Sequence, residues 1–197
     1  MDLKKIQNQL NQYKIKHFKE INSTHKYVKE NYKNLKDRTV ILADMQSNGI
    51  GTHGRVWYTG RENNIAMSIL IKPNCNIENL KNITTKIASS IQKAINEMYN
   101  INLEIKFPND LLLNSKKICG VLTEINTISE KVNYLIISIG FNVNETHFDE
   151  ETANIATSLK KEYNKNYSRE DIIIKIIENI ENEILINLTS QNNENFY

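Results

Sequence analysis

Residues 41–60 read ILADMQSNGIGTHGRVWYTG, and Gly49-Ile-Gly51-Thr-His-Gly54 within them is a literal G-x-G-x-x-G. In a dinucleotide-binding βαβ unit the third glycine opens a helix whose N-terminus holds the pyrophosphate, and an acidic residue follows about 20 positions later. Here Gly54 runs into RVWYTGRENNIAMSIL, where Gly60 and the Asn63-Asn64 pair break any helix before the next apolar run. The context excludes that fold and leaves a glycine-dense loop. The chain has six glycines, and four of them (49, 51, 54 and 60) fall within this loop beside Arg55, Arg61 and Trp57, the sole tryptophan. Glycine serves where backbone must take positive φ or approach a ligand closely. A basic residue and a broad ring suit an anionic group and a flat base.

Working outward, TVILADMQ (39–46) enters the loop as a buried strand, and NIAMSILIKP (64–73) leaves it as another, stopped by Pro73. Upstream, residues 2–12 fit a short amphipathic helix and KIKHFKEI (14–21) a first strand. Ser23 or Thr24 caps a helix through about residue 35. Downstream, IENLKNITTKIASSIQKAINEMYN (77–100) places Leu80, Ile83, Ile87, Ile91, Ala94, Ile95 and Met98 at helical spacing. LEIKF (103–107), KICGVLTEI (117–125) and NYLIISIGFNV (133–143) read as strands, with NDLLLN a hairpin arm between the first two. A polar connection follows residue 145. Ser168 with Asp171 resembles a capping box opening a last helix over 168–188. Strands that succeed one another without helices between them predict an α+β fold with a mixed, largely antiparallel sheet flanked by helices. The expected organisation is one domain, 1–188, and a frayed tail, 189–197.

Composition narrows the function classes. The 197 residues carry a formal net charge of +2, with Lys and Arg interleaved among Asp and Glu, unlike the basic stripe of a nucleic-acid binder. Cys75 and Cys119 have no C-x-x-C spacing and the four histidines no ligand spacing, which argues against a disulfide framework or a zinc site. Cys119, in an apolar strand, reads as a small core residue. No apolar run is long enough to span a bilayer and the N-terminus lacks a signal-peptide core, so a soluble cytoplasmic protein is expected, with no membrane partner.

Three segments taken together match a family. ADMQSNGIGTHGRVW, KFPNDLLLNSKKICGVL and SIGFNVN, preceded by NST (22–24) and followed by ANIATSL (153–159), resemble in order and spacing the signature segments of the biotin–protein ligases. The resemblance covers roughly residues 15–188 and implies the class II synthetase-like catalytic domain, which first adenylates biotin with ATP and Mg²⁺. It then passes biotin to a lysine of a biotin carboxyl carrier protein domain of a carboxylase. By position, Ser23, Thr24 and Gln46 would bond the head of biotin, with His25 touching that pocket through its backbone. Gly49, Ile50, Gly51 and Thr52 would cover the ligand as a loop. Lys117 would bridge the biotin carboxyl and the α-phosphate as the catalytic residue, and Gly120 would let backbone approach biotin. Arg55 would reach phosphate, Trp57 would stack on adenine, Asn109 and Asn142 would line the nucleotide side, and Asp110 would orient Lys117 or help to hold Mg²⁺. No metal is expected from the protein alone. The side chains of His25 and His53 are expected to be solvated. The superfamily's lipoate ligases and octanoyltransferases, and a non-catalytic relative, are the competing readings.

Two departures from the family pattern matter. The loop arginines of the family are Ile50, Thr52 and His53 here. A charge-assisted hydrogen bond contributes about 1.5–3 kcal/mol, so the adenylate is expected to dissociate faster than from arginine-rich relatives; slow release in a chase experiment would refute this. The N-terminal DNA-binding module and the C-terminal barrel of many relatives are not recognisable in the sequence, so no DNA partner is expected. A monomer or a homodimer is expected.

Overall fold

The computed structural model describes residues 1–51, 56–57 and 62–190. The alternating and apolar runs form strands β1 (Lys14–Ile21), β2 (Thr39–Gln46), β3 (Gly49–Ile50), β4 (Val56–Trp57), β5 (Ile65–Ile71), β6 (Glu104–Lys106), β7 (Asp110–Leu113), β8 (Lys116–Ile128) and β9 (Lys131–Phe141). Seven of them make one sheet in the order β1-β2-β5-β9-β8-β7-β6, while β3 and β4 pair as a small hairpin of their own. Within the large sheet β1 and β2 run parallel, and every other neighbouring pair is antiparallel. The sheet is therefore the mixed, largely antiparallel one that the strand succession predicts. Among the described residues no helix is long and apolar enough to cross a membrane.

The sheet's two faces differ. One carries Val40, Leu42, Ile65, Met67, Ile69, Ile137 and Ile139, all sealed against helices α1 (Leu3–Gln9), α3 (Ile83–Tyr99) and α5 (Arg169–Ile180). Burying each such side chain contributes about 1.5–3 kcal/mol. On the other face Ile41, Leu70 and Ile136 pack under Val28 of α2 (Thr24–Asn31) together with Tyr134. That helix has only eight residues and leaves part of the face open. There the registers set small residues side by side: Ala43 opposite Ala66, Ala66 opposite Gly140, and Gly140 opposite Gly120. Residues directly opposite across strands share a face, so four adjacent strands make a shallow trench.

Several boundaries differ from the sequence reading. The stretch 77–100 is not one helix: a 3₁₀ turn (Ile77–Leu80) is followed by Asn82 at φ 59°, and α3 starts after it. Asparagine tolerates that left-handed conformation, and the apolar spacing does not reveal it. Helix α2 stops at Asn31, short of residue 35. The connection after residue 145 contains α4 (Leu159–Tyr163), capped by Ser158 and ended by Asn164 at φ 52°. The last helix passes through one π-helical turn (Glu181–Leu185) into α6 (Ile186–Ser190), so the first two residues of the expected frayed tail are helical. The rest of that tail lies outside the described residues.

That π turn holds a buried polar knot. Glu181 accepts from the Tyr13 hydroxyl at 2.5 Å and from Arg38 Nη2 and Nε at 2.7 and 3.2 Å. Burial, then the hydrogen bond to Glu181, push the Tyr13 phenol far above its ordinary value. Arg38→Ala would leave the carboxylate without its cation. The unfolding free energy in a urea titration is expected to fall by about 3 kcal/mol, and a fall below about 0.5 kcal/mol would show the pair to be inert.

Candidate active site

The trench is lined from two sides. Strand β2 ends at Gln46, and Ser23 caps α2 by accepting from the Lys26 N–H, so the strand end and the helix start bring Ser23, Thr24 and Gln46 together. The Gln46 side-chain oxygen accepts from the Thr24 backbone N–H at 2.9 Å and from its hydroxyl at 3.1 Å. Ser68 of β5 donates to Thr24 Oγ1 at 2.9 Å, and Ser68 and Ser138, opposite each other on β5 and β9, are 2.8 Å apart. The sequence reading missed both serines. Each interrupts an otherwise apolar strand, a signal that becomes informative only once the register is known.

His25 is also not the solvated side chain expected of it. It is 6% exposed, with Nδ1 2.9 Å from Ser138 Oγ and Nε2 3.2 Å from Glu124 Oε2. Burial works against charge on Glu124, but hydrogen bonds from Lys29, His25 and Tyr134 outweigh it and hold the carboxyl below its ordinary 4.5. A folded value below the unfolded one stabilises the protein above the unfolded value. That contribution is lost as pH falls from about 4.5 through the lower folded value.

Lys117 reaches the trench through an irregularity in β8. Leu111 faces Cys119, but Leu112 faces Lys117, so β8 carries one extra residue, Ile118. In a regular strand residues 117 and 120 point to opposite faces; the bulge turns both to one. A Cβ on Gly120 would lie 3.2 Å from Lys117 Cε and 3.3 Å from its Nζ. The segment 153–159 pins this backbone: the Lys117 N–H donates to Ile155 O at 2.8 Å, and the Thr157 N–H donates to Lys117 O at 2.9 Å. Asn142, at the end of β9, holds the same segment by donating from Nδ2 to Thr157 O at 3.1 Å. Lys117 Nζ is paired with Asp110 Oδ1 at 2.7 Å, and Asn109 Nδ2 donates to the same oxygen at 3.0 Å.

Two cavities meet at this lysine. The first, about 30 Å³, is lined by Ser23, Thr24, His25, Gln46, Ile50, Asn109, Gly120, Ser138 and Gly140. The second, about 420 Å³, is lined by Lys106, Asp110, Asn142, Phe148, Thr152 and Asn154. Gly51, Trp57 and Lys117 border both. The first is narrow because Trp57 fills it: a Cβ on Gly140 would lie 2.2 Å from the indole Cε2, and one on Gly120 3.1 Å from Cζ3. Lys117 Nζ is 5.4 Å from that ring's centroid. Among the described residues the indole Nε1 is buried without an acceptor.

The sequence-expected residues thus converge, with three qualifications. Asn109 borders the first cavity, not the second where a nucleotide residue was expected. Trp57 lies across the two trench glycines, so it must move for a ligand to enter. Gly49 supports the hairpin, since a Cβ there would meet Trp57 O at 2.4 Å and Gln46 Nε2 at 2.7 Å. Thr52, His53 and Arg55 lie outside the described residues. Among the described residues no cluster of His, Cys, Asp and Glu could hold a metal ion. Cys119 is fully buried, and burial pushes its thiol far above the ordinary range.

Residues 17–142 match the Biotin/lipoate A/B protein ligase family. The bifunctional ligase/repressor BirA of Bacillus subtilis is 34% identical over 146 residues, 73% of this chain and 45% of that protein. The chain spans about half the length of the curated relatives it matches. The biotin protein ligase of Aquifex aeolicus, solved with biotin and ATP, superposes with a TM-score of 0.75 at 28% identity, covering 87% of this chain and 70% of that one. P. falciparum LipL1 in complex with lipoate shares the fold alone, with a TM-score of 0.58 at 14% identity, covering 88% of this chain and 62% of that one. With the matched segment running from β1 to the end of β9 and taking in the whole trench, the chain belongs to the biotin/lipoate A/B protein ligase family.

Proposed function

We propose that this chain adenylates biotin with ATP and transfers the biotinyl group to a lysine of a biotin carboxyl carrier domain. The observation that carries this reading is the placement of Lys117 where a narrow polar cleft and a wider cavity join. An acid with its head on Thr24 and Gln46 would direct its carboxylate to Lys117 from one side, and ATP its α-phosphate from the other. A carboxylate oxygen forms a bond to the α-phosphorus, the bond to the bridging oxygen breaks, and pyrophosphate leaves with that electron pair. The carrier lysine, as its free amine, then bonds to the acyl carbon, the bond from that carbon to the phosphate oxygen breaks, AMP leaves with its electron pair, and the amine's proton passes to water. Lys117 holds two anions together and neutralises charge as it builds up, and its compact ammonium can follow an oxygen through the step. Mg²⁺ would enter on the ATP phosphates, with Asp110 the lining carboxylate available to it.

The cleft's chemistry favours biotin over lipoate. Thr24, Gln46 and Ser138 match a ureido ring, which has both N–H donors and a carbonyl acceptor. A dithiolane has neither and would make no hydrogen bonds to these groups, and sites built for hydrogen bonding discriminate strongly against ligands that lack it. The buried Cys119 is a poor nucleophile for octanoyl transfer. Biotin-dependent pyrophosphate–ATP exchange tests the reading: exchange with biotin supports it, exchange driven by lipoate points to a lipoate ligase, and none with either acid points to a non-catalytic relative.

Trp57, as the only tryptophan, reports the cleft directly. Biotin is expected to shift its emission, since the indole must leave Gly140 for the ligand to enter. Binding measured by calorimetry with unchanged emission would place the ligand elsewhere.

A further inference from the structure

The hydrogen bonds under the trench can be counted proton by proton. A backbone N–H only donates, so the Gln46 atom facing Thr24 N is its oxygen, and the Thr24 hydroxyl gives its one proton to the same oxygen. Ser68 gives its proton to Thr24. In the Ser68–Ser138 contact, therefore, Ser138 must be the donor. With that proton spent, the contact at His25 Nδ1 requires a hydrogen on the ring nitrogen. On the other side, Glu124 Oε2 faces His25 Nε2 while taking Lys29 Nζ at 2.9 Å, and its Oε1 takes the Tyr134 hydroxyl at 3.0 Å. A carboxylate only accepts, so Nε2 must carry hydrogen too. All these contacts are satisfied together only when both ring nitrogens are protonated. With one hydrogen, either the Ser138–Ser68 link opens or Nε2 turns a lone pair on the carboxylate.

We propose that His25 is a positioning residue. Its doubly protonated ring orders the hydroxyls of Ser138, Ser68 and Thr24 so that their protons run toward Gln46, and the lone pairs of Ser138 and Thr24, which line the first cavity, remain to accept from a ligand. This rests on the biotin reading and deepens it, because the ordered chain offers acceptors to the ureido N–H groups at the trench floor. The charged and titratable groups around the ring are Glu124 on β8, Lys29 on α2 itself and Tyr134 on β9 behind Glu124; the serines of β5 and β9 are neutral. The protonated ring favours biotin, so affinity falls as pH rises.

The test is biotin binding by calorimetry at about pH 6 and about pH 8, the interval in which histidine charge ordinarily matters. Three proteins are compared: wild type, His25→Asn and Ser138→Ala. Wild type is expected to lose about ten-fold in affinity at the higher pH, the size of one net hydrogen bond. His25→Asn places a permanent amide N–H near the Nδ1 position and should bind with no pH slope. Ser138→Ala interrupts the chain and should bind about ten-fold more weakly, also without a slope. A wild-type profile without slope, or a slope shared by either variant, overturns the inference while leaving the biotin reading intact. Wild-type protein that binds no biotin at either pH removes both.

Discussion

Lys117→Ala is expected to lower biotin-dependent pyrophosphate–ATP exchange by about a thousand-fold, the upper end for one preorganised electrostatic group, with a much smaller change in the KM for biotin. On the proposed reading the head of the acid bonds to Thr24 and Gln46 and only its carboxylate meets the ammonium, so ground-state binding should survive while the charge that forms between carboxylate and α-phosphate loses its partner. The substitution also leaves Asp110 without its cation. Exchange is therefore compared with Lys117→Arg, which restores a positive charge. A guanidinium is planar and delocalised and does not track a single oxygen as an ammonium does, so this variant should recover little activity. Exchange within about ten-fold of wild type in Lys117→Ala would remove the lysine from the chemistry.

Gly140→Ala is expected to raise the KM for biotin by about 10- to 100-fold, corresponding to an overpacking cost of about 1–3 kcal/mol. The added methyl would stand 2.2 Å from the Trp57 indole, so the ring cannot keep its place even without ligand, and the trench floor rises under any bound ring. The fold should survive, because the larger hydrophobic cluster lies on the opposite face of the sheet. Two readouts accompany each other: the emission of the unliganded variant should already differ from that of wild type, and biotin should change it little further. An unchanged KM would mean that the acid does not lie over the paired glycines.

How far the sequence reveals this site depends on the kind of information each part needs. Strands β1 and β2 match their expected limits because local apolar patterning specifies them. The trench could not be read in this way. Ala43 and Ala66 are unremarkable singly, Gly120 stands out only through the family resemblance, and only the pairing of four strands sets them in a row with Gly140. The β8 bulge is likewise invisible in KKICGVL, although it decides that Lys117 and Gly120 share a face. His25 looked like a surface residue because its partners, Ser138 and Glu124, lie more than ninety positions away. Asn82 broke a helix that its apolar spacing continued. The residues reached by resemblance (Ser23, Thr24, Gln46, Lys117, Gly120) all border the first cavity, and Asn142 borders the second.

A crystal structure with a non-hydrolysable biotinyl-AMP analogue tests the central claim most directly. The expected complex has the ureido ring between Thr24 and Ser138, the adenylate in the wider cavity, Trp57 lifted from Gly140, and Lys117 Nζ within hydrogen-bond reach of both the acyl and the phosphate oxygens. A complex with Lys117 turned to solvent and the indole still lying on Gly140 would contradict it.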